Sequence, residues 1–298
     1  MNRNYNTSAG SRVFDFLNSF FMILVMIVML YPLAHVIAVS FSDPAFIELG
    51  TVSFFPKGIN NAGYVYILSD ISIWRAYGMT ITYAVIKTIF MLLFTSCVAY
   101  ALSNDEFVFK KPLTVFFAVT MFFNGGLIPT YTIVSSLGLL DSILVMTLPG
   151  CVSAFNIIVF RTFFKQLPYG LKEAAHIDGA NEITILFRII LPLSKPILAT
   201  FSLFTIVAVW NGWFDALIYL QQQWRNPLQM ILRRIVILDD LFQMGTAKDA
   251  QNLMNNFKVH PQNIQMAAVI VAMVPVYLVY PFIQKYFTKG IMLGSLKG

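Results

Sequence analysis

Charged side chains are scarce in this chain: they make up 11% of its 298 residues, whereas 58% of the residues are hydrophobic. A water-soluble domain of this size needs far more charge to cover its surface, so the composition excludes an ordinary soluble protein. Mean hydropathy is +0.72, and 28 Phe and 14 Met arrive in long apolar blocks. Helices that are apolar on all faces are typical of a lipid environment, and the sequence therefore predicts a membrane protein.

Cysteine and histidine are also rare. Cys97 and Cys151 both lie inside apolar runs, which indicates buried thiols and gives no disulfide framework. The three histidines share no ligand spacing, so no metal site is predicted. The chain lacks G-x-x-x-x-G-K-[S/T] and therefore an ATP site of its own. It also lacks H-E-x-x-H and G-x-S-x-G, which argues against a membrane-embedded enzyme.

Six apolar blocks are long enough to cross a hydrocarbon core of roughly 30 Å. The predicted spans are about 16–39, 77–102, 113–134, 142–163, 196–220 and 264–286. The fourth is the weakest, because Pro149 and Gly150 interrupt it and Asn156 lies near its middle. The predicted fold class is all-α, a polytopic membrane protein with about six transmembrane helices in a single domain, 1–298.

The distribution of Lys and Arg predicts the orientation of these spans. With both termini inside, the cytoplasmic segments hold twelve basic residues in 75 positions and the outer segments hold seven in 85. The cytoplasmic segments are 1–15, 103–112, 161–196 and 285–298, and the outer ones are 41–75, 135–141 and 221–263. Because the net charge of +6 comes from this loop bias, it indicates no nucleic-acid partner.

The loop 164–195 is the most charged part of the chain and carries its most informative pattern. The residues singled out there are Glu173, Ala174, Ala175, Asp178, Gly179 and Ala180. Two short helices are predicted, joined at Gly179, where a glycine permits positive φ. Pro192 favours the end of the second helix. Such a pair could be an ordinary charged loop, but its shape suits docking into a groove on another protein.

The pattern E-A-A-x-x-D-G-A-x(6)-F-x-I-x-L-P-L-x-x-P in this loop resembles the cytoplasmic EAA loop of type I ABC importer permeases. Residues 123–130, 210–217 and 289–298 are similar to the LplC/YtcP-like branch of carbohydrate permeases, a branch similar to the maltose permease subunit MalG. The resemblance covers nearly the whole chain. It implies a MetI-like permease fold, with a coupling helix between spans four and five that is seated in an ATPase.

The resemblance also implies partners rather than cofactors. The expected partners are a second, different permease, two ATPase subunits, an extracytoplasmic sugar-binding lipoprotein or periplasmic protein, and membrane lipid. No cofactor is expected on this chain, because the partner ATPase binds the ATP. The implied function is import of an oligosaccharide across the bacterial cytoplasmic membrane by alternating access, and several substrates of this branch contain uronates.

Polar residues within the predicted spans are the candidates for a substrate path. They are Lys87, Asn124, Asn156, Trp210, Asn211 and Asp215. Lys87 departs from the family, which usually has a small or apolar residue there. It could contact an acidic sugar, extend to the interface, or pair with Asp215. The asparagines could bind sugar hydroxyls or neighbouring helices, and for Trp210 we favour interface anchoring over sugar stacking.

Two other functions fit part of the sequence. An ion-gradient-driven secondary transporter would account for six spans, but not for the EAA pattern, and no paired intramembrane carboxylates suggest a proton relay. An ABC permease for a non-sugar solute would keep the coupling loop and change only the cargo. Within the maltose-type systems, moreover, the other permease holds most of the sugar, so the substrate site could lie largely outside this chain.

Overall fold

A computed structural model of the chain describes residues 9–123, 125–243 and 260–295, and every regular element in these ranges is helical. The first half contains α1 (Ala9–Ser40), α2 (Pro44–Glu48), α3 (Ala62–Ser69), α4 (Ile71–Ser103), α5 (Lys110–Thr120), α6 (Leu127–Ser136) and α7 (Ile143–Thr147). The second half contains α8 (Ala154–Lys165), α9 (Gly170–Ile177), α10 (Glu182–Ile185), α11 (Leu191–Leu193), α12 (Lys195–Asn211), α13 (Phe214–Tyr219), α14 (Leu228–Gln243) and α15 (Pro261–Ser295). The predicted all-α class is confirmed.

Contacts within the chain divide it into two compact units, Met1–Asp70 with Leu232–Met273, and Ile71–Ile231 with Val274–Gly298. These units are defined by contacts alone, and the prediction that residues 1–298 form one permease domain stays a prediction. In the first unit, the end of α1 packs into a small apolar core. This core consists of Ala38, Val39, Ile47 and Val52, with Met266 packed against it.

A single buried amide closes this first core. The side chain of Asn263 is fully buried near the start of α15. Its Nδ2 donates hydrogen bonds to the carbonyl oxygens of Val39, Ser40 and Ser42 at 3.1, 2.9 and 3.3 Å. Two of these carbonyls belong to the last turn of α1, where the helix leaves carbonyl groups without intrahelical partners. Asn263 therefore supplies donors to the end of α1, in addition to the Ser42 N–H, which also donates to the carbonyl of Val39.

The second unit is organised around α4, with α8 and α12 packed along it. Its largest buried core joins these three helices to the segment containing α9 and α10. The core consists of Met91, Ala99, Tyr100, Leu102, Ile157, Phe160, Phe164, Ala175, Ile185, Leu186, Ile190, Ile197 and Phe201. Apolar residues in this cluster are separated by as many as 110 positions in sequence, from Met91 to Phe201, so tertiary packing rather than local pattern creates it.

Three described helices are long and apolar enough to cross a membrane: Gly10–Ser40, Ile71–Ser103 and Pro261–Leu278. A fourth span is possible where Glu182–Leu193 and Lys195–Asn211 meet at a bend of 81°. The first, second and sixth predicted spans lie within α1, α4 and α15. Both α1 and α4 extend beyond the predicted limits.

The structure breaks the third, fourth and fifth predicted spans, the fourth of them at the interruption expected from Pro149 and Gly150. The third is broken between α5 and α6, where Gly126 has φ +84°. The fourth is broken between α7 and α8, where Gly150 has φ +68°. These positive φ values end a right-handed helix and favour glycine. The fifth is broken at Gly212, whose backbone is extended with ψ 126°, before α13 begins at Phe214.

Candidate functional site

The first candidate site is α9 and the turn that ends it. Gly179 has φ +80°, its N–H donates to the carbonyl of His176 at 3.0 Å, and the N–H of Ala180 donates to the carbonyl of Ala175 at 2.9 Å. This pair of hydrogen bonds is a Schellman motif, which ends a helix with a left-handed residue. Asn181 then caps α10, because its side chain accepts a hydrogen bond from the Thr184 N–H at 2.8 Å. Both predicted short helices are present and joined at Gly179.

The segment has one exposed face and one buried face. Glu173, Ala174 and Asp178 are exposed, whereas Ala175 is buried. Two large apolar side chains on either side of the turn are also exposed, Ile177 at 87% and Ile183 at 70%. Exposed apolar side chains beside charged ones are typical of protein–protein contact surfaces.

The buried face rests on side chains from the long helices. Ala175 of α9 and Ile185 of α10 belong to the same core as Phe160 of α8 and Phe201 of α12. Ala180 packs against this core as well, as expected for a Schellman turn. Because protein cores are close-packed, a displacement of α9 is transmitted to the helices that share its core.

Polar contacts also join α9 and α10 to α4, in addition to the apolar core beneath α9. The Tyr100 hydroxyl at the end of α4 donates to Glu182 Oε2, and Glu182 Oε1 lies 3.3 Å from His176 Nε2. The Lys172 ammonium lies over the Tyr100 ring, 4.7 Å from its centroid. Sequence reasoning missed Tyr100 and Glu182. They are 82 positions apart, and neither stands in a pattern that predicts their contact.

A second polar junction lies in the loop after α4. The carboxylate of Asp105 accepts hydrogen bonds from Lys110 of α5 and from Lys165 of α8, the latter at 3.2 Å. These two hydrogen bonds, that of Lys110 first, hold the pKa of Asp105 below its usual range. Asp105 is itself exposed, so the contacts fix loop position more than they stabilise the fold.

A helix irregularity separates the α9 and α10 segment from α12. Residues Leu186–Ile190 form a π-helical turn, and the chain bends at Ser194 before α12 begins. The buried Ser194 hydroxyl donates to the carbonyl of Ile190 at 2.7 Å. Single π turns occur often at functional sites, because they widen the helix and loosen its hydrogen bonding.

The second candidate site is a cavity of about 390 Å³ between α4, α8 and α12. Its lining is mainly apolar and aromatic, with a few polar groups, as is typical of ligand sites. The lining residues are Tyr83, Lys87, Met91, Met146, Gly150, Cys151, Phe155, Asn156, Phe201, Phe204, Thr205, Ala208, Val209, Gly212, Asp215 and Pro227. The glycine breaks in spans four and five both contribute to its wall.

Three of the six predicted path residues lie in this cavity, namely Lys87, Asn156 and Asp215. Trp210 is buried elsewhere, with its ring centroid 6.0 Å from that of Tyr77. Asn211 is exposed, and its amide donates back to the carbonyl of Val207 at 3.0 Å. Asn124 lies outside the described residues.

Trp210 and Asn211 lie at the end of α12, whereas Phe214 and Asp215 lie in α13, so the four residues belong to two separate helices. The roles proposed for all of these residues stay predictions. Sequence reasoning missed Tyr83, Phe155 and Phe204 in the cavity lining, since apolar and aromatic residues are too common in this chain to stand out.

Apolar helices with breaks beside a cavity are characteristic of membrane transport subunits. Comparison with known proteins gives the class directly: residues 106–292 match the family of binding-protein-dependent transport system inner membrane components. The chain belongs to this family.

Similar proteins cover nearly all of the chain. Protein LplC of Bacillus subtilis (strain 168) is 41% identical over 295 residues, which are 99% of this chain and 98% of LplC. The polygalacturonan/rhamnogalacturonan transport system permease protein YtcP of the same organism is 39% identical, over 97% of this chain and 99% of YtcP. A chain in the crystal structure of a bacterial ABC transporter involved in the import of the acidic polysaccharide alginate matches with a TM-score of 0.89 and 31% identity. The match covers 95% of this chain and 100% of the chain in that crystal structure.

These findings confirm the resemblance stated from the sequence. The chain is a membrane-embedded ABC importer permease with the MetI-like fold, a transport subunit rather than an enzyme. A permease of this kind works with a partner permease, an ATPase and a substrate-binding protein.

Proposed function

We propose that this chain is one of two different permease subunits of an importer that moves an acidic oligosaccharide across the bacterial cytoplasmic membrane. Two ATPase subunits bind and hydrolyse the ATP, and this chain binds no cofactor. An extracytoplasmic sugar-binding protein delivers the substrate, and both termini of the chain lie in the cytoplasm. The observation that carries the proposal is the geometry of α9. Its exposed face, here called the rim, consists of Glu173, Ala174, Ile177 and Asp178, and its buried face belongs to the core of α4, α8 and α12.

Coupling follows from this arrangement. An ATPase seated on α9 moves the rim when it closes around ATP, and the shared core passes the motion to the long helices as a rigid-body change. The ATPase favours one permease conformation only as far as it binds that conformation more tightly. Glu173 and Asp178 supply exposed charge around the seat, and Ile177 supplies an apolar side chain for a groove.

Replacing Gly179 with aspartate tests the seat. We expect the tagged chain, purified in mild detergent, to recover the partner permease but at least tenfold less ATPase, because the new side chain strains a left-handed turn and adds charge to the rim. Gly138→Asp is the matched control, since Gly138 has φ +66° and, like Gly179, nothing within 4 Å of an added Cβ. Equal ATPase recovery with both variants would contradict the coupling role of α9.

The acidic substrate is supported by the names of two relatives and by the residues that line the cavity. YtcP is described as a polygalacturonan/rhamnogalacturonan permease, and the alginate importer takes an acidic polysaccharide. Within the cavity, Lys87 provides the cation and Asn156 an amide for hydroxyl groups. Phe155 and Phe204, both partly exposed, offer rings on which a sugar can stack. Charge-assisted hydrogen bonds from a lysine to a carboxylate are stronger than neutral ones.

Replacing Lys87 with methionine tests the substrate class. In proteoliposomes containing the whole importer, we expect uptake of oligogalacturonides to fall about tenfold, since a hydrogen bond to a charged group contributes roughly 1.5–3 kcal/mol. Lys87→Arg should keep most of the uptake, because it retains the charge. The exposed Lys111 gives the control variant Lys111→Met. Unchanged uptake by Lys87→Met, or uptake driven by an ion gradient without ATP, would contradict the proposal.

A further inference from the structure

Glu182 holds two separate elements with its two carboxylate oxygens. We propose that it is a positioning residue, a clamp that keeps the coupling helix α9 in register with the end of α4. The inference rests on the proposed function only in taking α9 as the coupling helix. Glu182 stands at one of the unspecified x(6) positions of the pattern, two residues after Ala180.

One arm of the clamp reaches into the protein. Tyr100 is 6% exposed and belongs to the core, and its hydroxyl donates to Glu182 Oε2. A hydroxyl bound to a carboxylate makes a charge-assisted hydrogen bond, the stronger kind. The buried ring fixes the direction of this hydroxyl, so the position of Glu182 relative to α4 is fixed as well.

The other arm reaches along the coupling segment. Glu182 Oε1 lies 3.3 Å from His176 Nε2 on the last turn of α9, and both side chains are about half exposed (48% each). Exposed pairs of this kind contribute little by themselves. Lys172, one turn earlier on α9, lies over the same Tyr100 ring that binds Glu182. α9 thus meets Tyr100 twice, directly through Lys172 and indirectly through Glu182.

The apolar core beneath α9 and the Glu182 clamp restrict the movement of α9 in different ways. Apolar packing under Ala175 holds α9 against the core but is not directional, so it resists sliding of α9 along its own axis weakly. The hydrogen bond from Tyr100 to Glu182 Oε2 is directional, and His176 Nε2 lies 3.3 Å from the other oxygen of the same carboxylate as an ion-pair contact. Sliding of α9 must therefore break a contact of Glu182, and the coupling helix and α4 move together.

Amide hydrogen exchange of residues 170–185 in the intact detergent-solubilised importer tests whether the clamp exists. We expect Glu182→Ala to raise the exchange rate about tenfold, Tyr100→Phe to raise it less, and the double variant to match Glu182→Ala, since Glu182→Ala removes both contacts of the carboxylate and Tyr100→Phe removes one of the same two. Glu182→Gln should restore most of the protection, because an amide oxygen still accepts from Tyr100. Glu106→Ala, at an exposed acidic residue, should leave exchange unchanged.

The ratio of oligogalacturonide uptake to ATP hydrolysed in proteoliposomes tests whether the clamp transmits motion. We expect Glu182→Ala and Tyr100→Phe to lower this ratio about fivefold or more while the ATPase still co-purifies, and Glu182→Gln to recover it. Wild-type exchange in Glu182→Ala, additive effects of the two substitutions, or an unchanged ratio would each overturn the proposal. A wild-type importer that takes up no oligogalacturonide would instead refute the proposed substrate, and the exchange experiment would still decide whether the clamp exists.

Discussion

Replacing Asn263 with alanine is expected to lower the free energy of unfolding by about 3 kcal/mol or more, since each buried carbonyl left without its donor costs roughly 1–3 kcal/mol. The Asn263 amide is fully buried and donates to three backbone carbonyls, those of Val39, Ser40 and Ser42. Alanine removes all three hydrogen bonds, and of the three carbonyls that of Val39 still accepts from the Ser42 N–H at 3.1 Å. The measurement is the midpoint of thermal unfolding of the purified importer in detergent.

The matched control is Asn211→Ala, because Asn211 is exposed and bonds only within its own helix, to Val207. We expect this variant to unfold within about 1 °C of wild type, the scale of a surface change of a few tenths of a kcal/mol. Gly63→Ala offers an independent approach to the same site, since a Cβ at Gly63 would collide with the Asn263 side chain. Equal midpoints for Asn263→Ala and Asn211→Ala would show that Asn263 does not hold the end of α1.

Sequence reasoning located the helices whose apolar runs are uninterrupted. The windows 16–39 and 77–102 fall inside α1 and α4, because length and hydropathy alone determine such helices. It also found the helix–turn–helix at Gly179, since alanine, glycine and proline there have local conformational meaning. The family itself was recognised from the pattern that begins at Glu173.

The breaks within spans were not predictable in the same way. Hydropathy averages over Gly126 and Gly150 and does not register a positive φ, and an extended Gly212 leaves the apolar run around it intact. Spans three and five therefore appear continuous in sequence, although the backbone is broken at Gly126 and Gly212. An interruption by Pro149 and Gly150 was anticipated, but not its consequence for the cavity wall.

Contacts between residues that are far apart in the sequence could not be predicted from it. Asn263 meets Val39 across 224 positions, and Tyr100 meets Glu182 across 82. Such contacts depend on how helices pack, and one polar residue in an apolar run is compatible with many partners. Lys87 shows the same limit: its position within a span was evident, whereas its place beside Asn156 in one cavity required the packing of α4 on α8.

Replacing Phe160 with alanine is expected to lower the free energy of unfolding by about 3–5 kcal/mol, the range measured for large-to-small changes in a packed core. The ring is fully buried and meets Phe164 and Phe201 edge-on, with centroid distances of 6.0 and 5.1 Å. Such edge-to-face pairs add stability beyond the area that they bury. The midpoint of thermal unfolding again reports the change, and Phe116→Ala is the control, because Phe116 is 60% exposed.

This substitution also separates stability from coupling. Ala175 of α9 shares the core of Phe160, so a void there loosens the packing under α9 as well as the fold. We expect Phe160→Ala to lose ATPase recovery at a temperature below its unfolding midpoint, whereas Asn263→Ala should lose recovery only as it unfolds. If both variants lost the ATPase only on unfolding, the core under α9 would stabilise the fold without positioning the coupling helix, and coupling would depend on the rim and on polar contacts such as that between Tyr100 and Glu182.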